Sequence, residues 1–209
     1  MFFSPPTHFA AGVPARGRNT RRYAQGFTLV ELIVTISIFV IISAITLFNY
    51  PSFSSRIALD NLAHEIALTV REAQVFGTSV REFGAGSGTF PGHGIYFATS
   101  DNTHFTLFAD VDSDGFYGGC VGDVCAEQVD EYAMQQGHTL SQLCVYASPG
   151  GGCISVPALH ITYVRPNPEA QIRDNGGSLY AYAAIAVSSS RGDTRTVEVW
   201  SNGQITVRR

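Results

Sequence analysis

From Phe27 to Phe48 the chain runs for 22 residues with a single charge, Glu31, near the start. As a helix, a run of this length crosses the hydrocarbon of a bilayer. A carboxylate inside it costs on the order of 3 kcal/mol if left unpaired, so Glu31 needs a reason to be there. Ahead of the run stand Arg16, Arg18, Arg21 and Arg22, with no acid among residues 1–26. That asymmetry predicts a cytoplasmic N-terminus and an exported C-terminal part. From Phe27 onward nine arginines face seventeen acids, a net charge of −8, which argues against strong non-specific binding of nucleic acid. With 45% apolar and 14% charged residues, the chain is neither disordered nor a polytopic membrane protein. Residues 51–209 are enough to bury a core of their own.

A secretory signal peptide has an apolar region of about 7–15 residues followed by a small-x-small cleavage site. Here the run is longer, and the small residue that matters, Gly26, precedes it. A plain signal anchor explains the span and the arginines but not the order "GFTLVEL" at residues 26–32. That order resembles the type IV prepilin signature. The resemblance implies cleavage after Gly26 by a dedicated prepilin peptidase in the bacterial inner membrane, which also methylates the new N-terminus at Phe27. Glu31 then becomes the fifth residue of the mature chain. It stands in the first turn of a helix, where the macrodipole favours a carboxylate. In the family this glutamate pairs with the N-terminal amine of a neighbouring subunit, so that two charges costly in lipid neutralise one another. The implied partners are the peptidase, other pilin or pseudopilin subunits, and the membrane. The implied division is a leader at 1–26, a transmembrane assembly helix at 27–50, and an exported head at 51–209.

Pro51 is expected to kink or interrupt the helix. Helical spacing then resumes over residues 55–77, with Leu59, Leu62, Ile66, Val70, Ala73 and Phe76 on one face and Arg56, Asp60, Glu65, Arg71 and Glu72 on others. The glycines of "GAGSGTFPGHG" mark a loop. After it, "GIYFAT", "HFTLFAD", "QLCVYA", "HITYVR", "AYAAIAVSS", "RTVEVWS" and "QITVR" read as strands, the last two joined by a turn at "SNGQ". One long helix followed by antiparallel strands is an α+β layout. The amphipathic helix, together with "HITYVRPNPEAQI", "YAAIAVSS" and "RTVEVWSNGQITV", resembles minor pseudopilins of the GspH/FimT family. The resemblance implies a pilin-like fold, closed by a hairpin whose turn carries Gly203.

Cys120, Cys125, Cys144 and Cys153 all lie in the exported part, where an even count reads as two disulfides with three possible pairings. The local pairs, Cys120–Cys125 and Cys144–Cys153, are favoured, the second because Pro149–Gly152 must turn. A zinc site is the alternative, but it lacks a CxxC pair. In "FADVDSDGFYGG", Asp110, Asp112 and Asp114 precede Gly115. Carboxylates at alternate positions before a sharp bend suit a hard cation such as calcium. An EF-hand would need a glutamate where Val121 stands, so Asp123, Glu127 or Asp130 would have to complete the shell. An acidic turn without an ion is the plainer reading. Arg191-Gly192-Asp193 is a tripeptide that some adhesins use, yet a hairpin turn accounts for it. The six histidines form no HExxH or nucleophile pattern.

These observations favour a structural protein over an enzyme: a minor pilin or pseudopilin of a type IV pilus or a type II secretion pseudopilus. An alternative on the same scaffold is a DNA-binding minor pilin, using Arg208 and Arg209 with Arg191 and Arg195 nearby to contact phosphates. A third is an exported enzyme that uses the span only as a tether.

Overall fold

A computed structural model describes residues 26–122 and 125–209, with backbone alone at 49–52. The basic leader up to Gln25, and Asp123, lie outside the described residues. The chain divides into two compact units, one ending at Thr46 and one beginning at Leu47.

Helix α1, Leu29–Thr78, runs through both. It starts where it does because Thr28 caps it: the Thr28 hydroxyl accepts the Glu31 N–H at 3.2 Å, and the Thr28 carbonyl accepts the Leu32 N–H at 3.1 Å. Thr28 at the cap with Glu31 three residues on is the pattern of a capping box. The helix is not interrupted at Pro51. A proline removes one main-chain hydrogen bond, and a helix of this length tolerates the loss.

In the second unit the helix presents one apolar stripe. Leu59, Leu62, Ala63, Ile66, Val70 and Ala73 are buried, at the three- and four-residue spacing that lines up one helix face. Against the helix stand two antiparallel sheets built from β1 Gly92–Ala98, β2 His104–Asp110, β3 Gln128–Ala133, β4 Thr139–Tyr146, β5 Ile154–Ser155, β6 Ala158–Tyr163, β7 Ala170–Asp174, β8 Leu179–Tyr180, β9 Tyr182–Ser188, β10 Thr194–Trp200 and β11 Ile205–Arg208. The first sheet has the order β3-β2-β1-β6-β7-β8 and the second β11-β10-β9-β4-β5. Their inner residues share one core with the helix stripe, among them Ile95, Phe97, Leu159, Ile161, Ile185 and Val197. This is the α+β, pilin-like arrangement of a long helix packed on antiparallel sheet.

Each strand expected from alternation is present. β3, β5, β7 and β8 were not expected, and all four are short or polar. In β3 the sequence "QVDEYA" sits at a sheet edge, with Val129 and Tyr132 partly buried against the core and its other residues polar or exposed, so no apolar alternation marks it. Two glycines permit close approaches to the helix. A Cβ at Gly77 would run into the main chain and Cβ of Tyr163 on β6. At Gly203, with φ +85°, a Cβ would meet the Gln74 amide and the Pro168 carbonyl. The turn that carries Gly203 closes the β10–β11 hairpin through Gly203 N–H to Trp200 carbonyl at 2.8 Å.

Candidate functional site

Among its described residues, the first unit offers one chemical feature. Gly26 and Phe27 are exposed ahead of the capped helix start, and Glu31 stands in the first turn. From Leu29 to Phe48 the large apolar side chains point into the surroundings rather than into a core, as Ile33 and Phe39 do at 54% and 73% exposure. The helix is long and apolar enough to cross a membrane. A glutamate at the third helical position lies close to the peptide amine that cleavage after Gly26 would create. Both groups therefore sit at the positive end of the helix dipole, where a carboxylate is favoured. The cap is encoded locally, as T-x-x-E in "TLVE" at residues 28–31.

In the second unit the acidic stretch forms a loop over the outer face of the first sheet. Phe116 packs its ring against His160 of β6, and Tyr117 packs on Tyr96 and Phe108. The Tyr117 main-chain N–H donates to His160 Nδ1 at 3.1 Å, and Nε2 on the other side of the ring meets Asn175 Oδ1 at 3.1 Å. The ring therefore acts as the neutral tautomer that carries its proton on Nε2, and burial holds its pKa below the ordinary value.

Oxygens of Asp110, Asp112 and Glu127 come within 4.8 Å of one another, close enough to hold a cation together. The set differs from the expected one. Asp114 lies outside it because its carboxylate turns back to accept the Phe116 N–H at 2.7 Å. Glu127, from the strand side of the loop, takes the place. The carboxylates already have main-chain donors: Gly115 N–H on Asp110 at 3.2 Å, and Val111 and Gly118 N–H on Glu127 at 3.1 and 2.8 Å. The loop thus holds its own shape through main-chain hydrogen bonds. Burial, first, and the neighbouring carboxylates push the Asp110 pKa up. A hard cation would relieve that repulsion, and the oxygen donors suit calcium better than a soft metal.

Both cysteine pairs are disulfides. Cys144–Cys153 ties β4 to the residue before β5, with Cα atoms 5.2 Å apart. Cys120–Cys125 closes the tip of the covering loop, with Cα atoms 4.1 Å apart.

The arginines at the end of the chain are placed on acids. Arg195 binds Asp60 of α1, and Arg209 lies 3.8 Å from the same carboxylate. Arg208 Nε is 3.1 Å from Glu198 Oε2 in an ion pair without hydrogen-bond alignment. Asp193 of the Arg-Gly-Asp stretch is occupied by Arg56 at 3.4 Å. These contacts fasten the C-terminal hairpins to one flank of the helix and offset much of the charge that a phosphate would use.

Among protein families, the prokaryotic N-terminal methylation motif matches residues 21–47. The chain therefore carries a type IV pilin-like prepilin signature, joined to a pilin-like α+β head. No curated protein and no solved structure matches the chain.

Proposed function

We propose that this chain is a minor pilin or pseudopilin, a structural subunit of a type IV pilus or type II secretion pseudopilus in the GspH/FimT manner. The observation that carries the reading is the methylation motif over residues 21–47 on a helix whose first half exposes its large apolar side chains. The protein is inserted once in the inner membrane with its N-terminus cytoplasmic. The prepilin peptidase cuts after Gly26 and methylates Phe27. Glu31 then meets the amine of an adjacent subunit, and each removes the other's cost in lipid. Its work is assembly and presentation of the head rather than catalysis.

The test is intact mass after expression with and without an active prepilin peptidase. A product beginning at Phe27 and heavier by one methyl group is expected only with the peptidase. An uncut chain in its presence overturns the reading. Glu31→Ala is expected to be cut normally and to fail in filament incorporation; a tethered enzyme would be indifferent to it.

A further inference from the structure

At the start of the second unit, α1 and the loop between β3 and β4 enclose an open groove of about 410 Å³, lined by Phe53, Ile57, Asn61, Glu65, Gln136 and His138 among others. His138 is 2% exposed, and neither ring nitrogen has a hydrogen-bond partner. A buried polar group left so is costly, and this one lines a groove that something else can enter. The loop holding it includes Gln136 at φ +60°, a conformation uncommon for a side chain other than glycine. Glu65 is exposed and makes no ion pair among the described residues.

On the opposite flank of the same helix lies the tip of the β9–β10 hairpin. Arg56 and Asp60 hold it there through Asp193 and Arg195. At 3.6 residues per turn, Arg56 and Asp60 point roughly 130° around the helix from the groove-lining positions, at the same height along it. The tip is a tight turn, closed by Gly192 N–H to Ser189 carbonyl at 3.0 Å and Ser189 N–H to Asp193 carbonyl at 2.9 Å. It presents Arg191, exposed and with no partner for its guanidinium among the described residues.

We propose that the groove receives the β9–β10 hairpin tip of a second copy of this chain, with Arg191 entering between Glu65 and His138. The chemistry is complementary in three respects. The guanidinium meets the groove's one free carboxylate. The apolar stem of the arginine lies along Phe53 and Ile57, where long charged side chains bury their methylenes. The neutral imidazole of His138, kept neutral by burial, has one nitrogen to accept an arginine N–H and one N–H to give to a main-chain carbonyl of the turn. Tip and groove are different surfaces on different flanks of one helix, so the contact is heterologous. Repeated from copy to copy it generates an open helical array rather than a closed dimer.

This inference rests on the filament-subunit reading for its setting, and its test is separate from the cleavage measurement. A photo-crosslinking residue replaces Gln136 in the full chain, expressed in membranes with the peptidase and irradiated there. The expected product is a dimer in which Gln136 of one copy is joined to the peptide spanning Ser189–Asp193 of another. Arg191→Glu and Glu65→Arg, both on exposed positions that leave the core untouched, should each lower the yield by roughly tenfold. The two changes together should restore it. Crosslinks to a different protein, to another surface of the second copy, or a yield indifferent to the charge reversals overturns the proposal. A chain that is cut and methylated but gives no such dimer sinks this contact alone and leaves the subunit reading standing.

Discussion

The two halves of α1 are written for different surroundings. Between Leu29 and Phe48 apolar residues occupy every face, and none is buried by the chain itself: Leu47 is 72% exposed. Between Leu59 and Ala73 they occupy one stripe, and Leu59 and Ile66 are fully buried under the sheets. A helix apolar all round asks for lipid or other helices, and one with a stripe asks for a core. The comparison teaches that only the second half is stabilised by this chain's own fold.

The largest expected effect tests that division directly. Ile66→Ala should lower the unfolding free energy of the head by about 2–5 kcal/mol, whereas Ile38→Ala should leave it unchanged. Chemical denaturation of the full chain in detergent, followed by tryptophan fluorescence at Trp200, measures both. Equal losses would erase the distinction between the halves. The converse substitution is a charge. Ile38→Arg should raise the cost of membrane insertion by about 2.5–3.5 kcal/mol and reduce integration, while Leu68→Arg, on the exposed face of the second half, should integrate normally. Carbonate extraction of membranes reads the difference.

A smaller effect sharpens the contact between helix and sheet. Gly77→Ala forces a methyl against the Tyr163 main chain and should cost about 1–3 kcal/mol, visible as a lower midpoint in the same denaturation. Smallest is the pH response of the second half. The hydrogen bond from Arg195, first, and the nearby arginine charges lower the Asp60 pKa below 3.8. A lowered carboxylate pKa adds stability above the unfolded value, and the addition is lost as pH falls through the folded value. Asp60→Asn should flatten that acid limb, by less than about 1 kcal/mol because the pair is part-exposed. Melting midpoints between pH 2 and 6 would show whether the limb is there.

Much of the fold was legible because the signals were local. The stripe from Leu59 to Ala73 gave the packed face of the helix, and alternation in "HITYVR" and "AYAAIAVSS" gave β6 and β9. The glycine in "SNGQ" gave the last hairpin. The misses have a common cause. β3 and β7 carry polar residues because they lie near the edge or outer side of a sheet, and their pairing comes from neighbours distant in sequence. β6 is buried on both faces, against the one-sided pattern of an open antiparallel sheet, because the Phe116–Tyr117 loop folds back over it. In the acidic loop, spacing suggested Asp114 as a ligand. Its carboxylate was instead taken by the nearest main-chain N–H, a competition that short polar side chains commonly lose to their own backbone.

The sequence by itself determined the prepilin signature, the membrane-length helix and the sign of the charge on either side of it. Those depend on order and composition within a few turns of chain. Only the tertiary structure decided which carboxylates meet, which arginines are already held by acids, and that a buried, unpartnered His138 and an exposed Arg191 lie on different flanks of one helix. Such placements come from long-range packing, in which residues a hundred positions apart become neighbours, and no local pattern encodes them.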